Sequence, residues 1–174
     1  MNNNSLRLYI LKYLSYALVL IAVGSIQSAP FFPSIFGARP ILIYPCVVAI
    51  AMNDGELVGG LFGAFGGLIC DHFMTVIFGF NGIVLLLCGA TIGLLTIYYI
   101  QNSLKNALIL SSLSLLIREL LVLVFGYLIF GYDNPLDMVL RGQLPSFIYT
   151  VLLTPIFYFL FRKLSLGFNA RVNK

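Results

Sequence analysis

Long apolar runs alternate with short breaks that are polar or rich in glycine and proline. The breaks fall at residues 30–40, 53–56, 79–82, 101–106 and 131–143, and a basic stretch follows residue 161. A transmembrane helix needs about 20 mostly apolar residues, and all the runs but one are close to that length. We therefore predict an all-α membrane protein, a compact bundle of about six transmembrane helices, with spans at residues 13–29, 41–52, 57–78, 83–100, 107–130 and 144–161.

The run at residues 41–52 leaves five spans as an alternative, because it is short for an untilted crossing. Basic residues accumulate in cytoplasmic segments, so their positions distinguish the two counts. Five spans would separate the termini and remove the charge asymmetry. Six spans place both termini in the cytoplasm in a single domain over residues 1–174. Seven basic residues then lie inside and two outside: Arg7, Lys12, Lys105, Arg162, Lys163, Arg171 and Lys174 against Arg39 and Arg141.

Composition agrees with this class. Of the 174 residues, 60% are hydrophobic and 9% are charged, whereas a typical soluble domain is about 45–50% apolar and about 25% charged. These values exclude a soluble enzyme domain and a nucleic-acid-binding module, and they make membrane lipids the surroundings of the chain. Cys46, Cys70 and Cys88 lie in apolar runs without metal-ligand spacing, so we interpret them as buried small hydrophobic residues.

Each end of the chain has two interpretations. The N-terminus has the shape of a signal peptide, with Arg7 and Lys12 before an apolar run. That run is long for a signal peptide and more hydrophobic chain follows it, so we interpret it as the first span. We interpret the basic stretch after residue 161 as the anchor that fixes orientation, with contact to anionic lipid as the alternative.

The third run has the most informative spacing. Gly59, Gly63 and Gly67 are four residues apart, and Asp71 continues the series. On a helix these positions form one slowly drifting stripe. Small residues at this spacing let a neighbouring backbone come close, which is how helices associate in a membrane. The stripe therefore predicts a tight helix–helix interface, either inside the domain or with a partner protein.

Asp71 lies about 20 Å along its helix at 1.5 Å per residue, near the outer interface or in the outer half of the bilayer. A carboxylate there is costly and is a functional candidate by default. A buried structural contact or a hydrogen bond at a helix end is the alternative to a role in binding a partner or ligand. His72 follows Asp71 but points about 100° away on a helix, so the two do not form a metal pair.

Arg118 and Glu119 lie near the middle of the fifth run. Adjacent helical residues face different ways, so we expect each to turn toward other helices and not to need the other as its partner. Asp71 is then a plausible partner for Arg118. An internal ion pair that holds the bundle together is the alternative.

The sequence lacks a nucleophile beside a base, a phosphate-binding loop, a dinucleotide-binding glycine pattern and a pair of acids. The glycine-rich stretch at residues 59–67 lies in an apolar span and not between a strand and a helix. With one histidine and no clustered carboxylates, a metal site is not expected. We therefore predict a protein that is not an enzyme and has no catalytic, cofactor-binding or metal site.

Several stretches together resemble the rod shape-determining protein MreD family. The pattern is a proline-led apolar span, a polar turn, a glycine-spaced span ending in G-L-x-x-D, a short Gly-Phe-Asn segment and a proline-containing final span. It is present here as Arg39-Pro40, Asp54-Gly55-Glu56, Gly67 to Asp71, Phe78-Gly79-Phe80-Asn81, and Pro145, Tyr149 and Pro155. The resemblance extends over residues 7–164 and is densest at 38–96. It departs from the family at His72 and Phe73, where small or aliphatic residues are common.

The resemblance implies a non-catalytic membrane component of the bacterial rod complex, or elongasome. Such a protein helps to maintain cell shape by organising lateral peptidoglycan synthesis. The implied partners are MreC and, through it, the actin-like MreB and the wall-synthesis glycosyltransferase and transpeptidase. The implied location is the bacterial plasma membrane.

Two other classes remain as alternatives. The substrate-binding subunits of energy-coupling-factor vitamin transporters are also six-span bundles of similar size, and the fold predicted here is similar to theirs. A vitamin pocket near the outer face needs polar side chains, whereas the outer loops here are short, poor in polar residues and without tryptophan. A membrane-embedded enzyme needs paired polar catalytic groups, and the sequence shows isolated ones.

Overall fold

A computed structural model describes residues 3–29, 39–74, 78–130 and 142–172. This part of the chain contains five helices that are long and apolar enough to cross a membrane. The predicted all-α membrane class is therefore confirmed, with five such helices where six were expected. They are α1 (Asn3–Ser28), α2 (Ile43–Met74), α3 (Phe80–Tyr98), α4 (Leu104–Phe130) and α5 (Leu144–Val172).

Helix α2 contains two of the predicted runs and reverses its direction between them. Gly55 has φ +85° and ψ −171°, a backbone conformation that is essentially restricted to glycine. A methyl group on Gly59 would lie 2.6 Å from Cβ of Ala51, although eight residues of straight helix span about 12 Å. The two parts of α2 therefore lie antiparallel. We call residues 43–54 the central arm and residues 56–74 the outer arm.

The central arm is enclosed by the other helices. Every residue from 41 to 52 is buried, and the arm packs against side chains of all the other elements, including Tyr16, Leu20, Leu85, Leu115 and Phe161. A helix that is apolar all round is buried on all sides. The short run that suggested an alternative count is thus the core of the bundle.

Contacts place the connections at two opposite ends of the molecule. Lys12 contacts Asp54 and Asn169, so the start of α1, the reversal in α2 and the end of α5 lie together at what we call the terminal end. Asp71 contacts Asn81 at the far side, where α2 ends and α3 begins. We call that side the opposite end.

Several helices extend beyond the predicted apolar runs. Helix α1 begins at Asn3 and not at residue 13, and α5 continues to Val172, so most of the basic stretch is helical. Hydrophobicity marks the part of a helix in lipid, whereas the backbone hydrogen bonds continue through the polar residues at its ends. Residues 30–38 and 131–141 of the predicted loops, residues 75–77 of the predicted third span, and the charges at Arg141 and Lys174 lie outside the described residues.

Candidate functional site

The glycine stripe of the outer arm faces α3 in the same chain. A methyl group on Gly63 would lie 2.7 Å from the carbonyl carbon of Leu85, and one on Gly59 would lie 2.7 Å from the carbonyl oxygen of Gly89. On Gly67 it would lie 2.5 Å from the carbonyl carbon of Asn81. The two backbones are therefore in direct contact along the stripe. Of the two interfaces that the spacing allowed, the structure places these glycines in the one inside the domain.

Asp71 ends the stripe and caps the next helix. It is buried, and its carboxylate accepts hydrogen bonds from the backbone N–H groups of Asn81 and Gly82, each at 3.1 Å. The first N–H groups of a helix have no partner within it, and a negative charge is favoured there. Gly79 precedes α3 with φ +92°, which turns the chain so that these N–H groups face Asp71.

The side chain of Asn81 on α3 connects both arms of α2 with helix α4. Its amide nitrogen donates to Asp71 at 2.9 Å. Its amide oxygen accepts from the Tyr44 hydroxyl on the central arm at 3.1 Å and from Nε of Arg118 on α4 at 3.4 Å. Asp71 and Arg118 are thus linked through Asn81. Both are polar side chains that the sequence places inside the spans, and this contact gives each of them a partner.

Arg118 turns toward another helix, as expected, and it also pairs with the adjacent Glu119. Nη1 of Arg118 lies 2.5 Å from Oε1 of Glu119. The two Cα–Cβ bonds diverge on the helix, but both side chains are long enough to meet beside it. The pair is mostly buried, so Arg118 neutralises the carboxylate while its Nε reaches Asn81.

Arg39, Pro40 and Pro145 come together where the chain enters the central arm. Ser146 follows Pro145 and donates from its hydroxyl to the carbonyl oxygen of Arg39 at 2.6 Å. Pro40 is buried and Arg39 is exposed. The Arg39-Pro40 motif and Pro145 are therefore neighbours in space at the opposite end, although more than one hundred residues separate them in sequence.

Two capping side chains at this entrance were not predicted. The N–H of Ile41 donates to Oγ1 of Thr150, and the N–H of Leu42 donates to Oε1 of Gln27, each at 2.9 Å. A glutamine inside an apolar span indicates a buried polar contact. Its target could not be identified from sequence, because the contact depends on how α1 packs against the central arm.

A second polar cluster at the terminal end was also missed. Lys12 forms an ion pair with Asp54, and the Tyr16 hydroxyl donates to the other oxygen of Asp54 at 2.7 Å. Lys12 also donates to Asn169 at 3.1 Å and is 2% exposed. The charge pattern of the sequence predicts a role in orientation for Lys12 but not this buried ion pair. The cluster borders a cavity of about 730 Å³.

Comparisons with known proteins found no matching family model, no matching curated protein and no matching solved structure. A functional assignment therefore depends on the residues and on the geometry described above.

The glycine interface makes a prediction about helix packing. Replacing Gly63 with alanine forces the outer arm away from the Leu85 backbone, which cannot move without separating the helices. We expect Gly63→Ala to lower the free energy of unfolding by about 1–3 kcal/mol, the usual cost of overpacking. Gly60→Ala is the matched control, because its methyl group would meet Ala90 at an ordinary 3.4 Å. Thermal unfolding in one detergent measures both, and equal stability of the two variants would contradict this packing.

The link through Asn81 makes a second prediction. Because Asp71 and Arg118 bind the same amide, Asp71→Asn and Arg118→Gln should be non-additive, with a coupling of about 0.5–3 kcal/mol in the free energy of unfolding. Asp71→Asn with Arg162→Gln is the control cycle. Arg162 binds Tyr158 on α5, away from this cluster, so these effects should add within about 0.5 kcal/mol. Similar coupling in the two cycles would show that Asn81 does not connect Asp71 with Arg118.

Proposed function

We propose that the chain crosses the bilayer six times, with both termini in the cytoplasm. The reversal at Gly55 supports this, since it lets the two arms of α2 cross separately. The central arm of about 18 Å is shorter than the hydrocarbon core of about 30 Å. It is enclosed by protein, so its length need not match the lipid. Described basic residues concentrate toward the terminal end, among them Arg7, Lys12, Lys105, Arg162 and Lys163, which favours that end as the cytoplasmic one.

We further propose that the protein is a non-catalytic component of the bacterial rod complex in the plasma membrane, similar to MreD. The observation that supports this best is that the motif residues behind the resemblance contact one another across separate segments. Asp71 binds Asn81, and Gly67 lies against the backbone of Asn81. Ser146, which follows Pro145, binds Arg39. The motif is thus a set of mutual contacts that fixes the shape of the bundle, as a scaffold requires.

The polar side chains are engaged with one another in the same way. Among the described residues, Glu119 Oε2 is the single buried side-chain nitrogen or oxygen atom without a hydrogen-bond partner. The acids and bases described above stabilise helix ends and buried ion pairs. Such groups are already committed to the fold, which favours a role in assembly over a role in chemistry.

The partners follow from the resemblance. MreC is the proposed direct partner, and through it the protein reaches MreB and the wall-synthesis glycosyltransferase and transpeptidase. The outward faces of the helices are apolar, with Leu57, Leu61, Ile109 and Leu152 each more than 60% exposed. These faces are suited to lipid and to the transmembrane helix of a partner.

The substrate-binding subunit of a vitamin transporter is the other candidate, and outer loops that are short, poor in polar residues and without tryptophan argue against it. A cavity formed by the described residues lies at the terminal end, whereas a pocket for an extracellular vitamin lies at the outer face. In the proposed orientation the two are on opposite sides of the membrane.

Affinity purification from membranes distinguishes these two functions. We expect the tagged chain, co-expressed with MreC from the same genome and solubilised in mild detergent, to retain MreC and the wall synthases. An unrelated six-span protein with the same tag and expression level is the control. Retention of MreC by both proteins, or a vitamin bound in stoichiometric amount with no MreC, would contradict the scaffold function.

A further inference from the structure

The cavity at the terminal end has walls from two helices that are not packed on each other. Tyr9, Lys12 and Tyr13 of α1 form one side, and the end of α3 with the segment after it forms the other. The floor is the reversal of α2 around Asp54. Helix α1 packs mainly on α2 and α5, so the space between α1 and α3 is left open. Its volume of about 730 Å³ is within the range of about 300–1,000 Å³ that is usual for small-molecule sites.

The cavity lining has no net charge. Lys12 and Asp54 are the charged side chains in the described lining, and they neutralise each other in a buried ion pair. Both have further partners, since Lys12 donates to Asn169 and Asp54 accepts from Tyr16. A ligand that is a net anion or a net cation would therefore meet no unpaired charge of opposite sign in this lining.

Four tyrosines lie in the walls, beside five other uncharged polar side chains: Asn53, Thr96, Gln101, Asn102 and Asn169. Tyr9 and Tyr13 come from α1, and Tyr98 and Tyr99 lie at the end of α3. Phenol hydroxyls donate hydrogen bonds to phosphate oxygens, and the faces of the rings attract ammonium groups. The walls thus offer partners to both halves of a molecule that joins a phosphate to an ammonium group.

The open side of the cavity lies at the level of lipid headgroups. The charge-free part of α1 begins at residue 13, so Lys12 lies at the boundary between the lipid headgroups and the hydrocarbon. Apolar side chains flank the opening, with Ile10 58% and Ile97 53% exposed, and Tyr98 and Tyr99 are 72% and 84% exposed. Tyrosine at this depth is typical of the membrane–water interface.

We propose that this cavity binds the headgroup of a zwitterionic phospholipid from the leaflet at the terminal end. The phosphate accepts hydrogen bonds from the tyrosine hydroxyls, the ammonium group lies against the tyrosine rings, and the acyl chains leave between α1 and α3. The inference is independent of the proposed function, because it depends on the cavity and not on the resemblance.

Native mass spectrometry tests the headgroup preference. The full chain is reconstituted in vesicles with equal amounts of phosphatidylethanolamine, phosphatidylcholine and phosphatidylglycerol, and then extracted in mild detergent. We expect it to retain one of the two zwitterionic lipids in preference to phosphatidylglycerol. Preferential retention of phosphatidylglycerol, or equal retention of all three lipids, would overturn the proposal.

Variants locate the retained lipid. Tyr98→Ala with Tyr99→Ala removes two exposed rings from the wall, and we expect retention to fall at least about fivefold. Phe159→Ala is the matched control, because Phe159 is an exposed aromatic residue (56%) outside the cavity lining. An unchanged melting temperature in both variants establishes that the fold is intact. Equal retention by the two variants would place the lipid elsewhere on the surface and overturn the assignment.

A soluble competitor distinguishes a lipid from a water-soluble ligand with the same headgroup chemistry. Glycerophosphoethanolamine has the phosphate and the ammonium group but no acyl chains. We expect it to displace the retained lipid only in large excess. Displacement at equal concentration would show that the site takes a soluble phosphate–ammonium compound, and the lipid assignment would then be wrong.

Discussion

A short helix buried on all sides must have the backbone groups at both of its ends bound by the surrounding protein. In a membrane each unbound N–H or C=O group costs several kcal/mol. Just before the central arm, Thr150 and Gln27 accept hydrogen bonds from the N–H groups of Ile41 and Leu42. At its far end, Asn102 donates to the carbonyl oxygen of Met52 at 3.0 Å, and Lys12 holds the side chain of the last residue. Helices α1 and α5 and the segment before α4 are therefore held in place by the polar ends of one arm.

The outer arm depends on that arrangement. Because the chain reverses at Gly55, the outer arm lies along the central arm and presents its glycine stripe to α3. Asp71 at the end of the stripe then caps α3, and Asn81 transmits the contact to α4 through Arg118. The residues that suggested chemistry in the sequence thus act together as a frame. A frame with apolar outward faces suits the proposed scaffold function, and the open cavity at the terminal end is the proposed lipid site.

The spacing of residues along the sequence predicted more of this structure than the expected contacts between charged side chains did. Four-residue spacing identified the stripe of Gly59, Gly63 and Gly67, because helical geometry fixes which residues share a face. The ion pair between Arg118 and Glu119 was not predicted, since the directions of Cβ atoms do not limit where two long side chains end. The pairing of Lys12 with the reversal in α2 depends on the packing of α1, which no local rule contains. The central arm looked too short because a membrane span is judged against lipid, whereas this arm is surrounded by protein.

The reversal at Gly55 is the central claim, and a distance between spin labels at Arg39 and His72 tests it most directly. Both residues are exposed, and labels can be attached at Arg39→Cys and His72→Cys after the buried Cys46, Cys70 and Cys88 are replaced with alanine. Since residues 43 and 69 both approach Gly24, we expect double electron–electron resonance to give a separation of about 15–25 Å, a few helix diameters at most. A continuous α2 would hold the labels more than about 40 Å apart at 1.5 Å per residue, and that result would contradict the antiparallel arms.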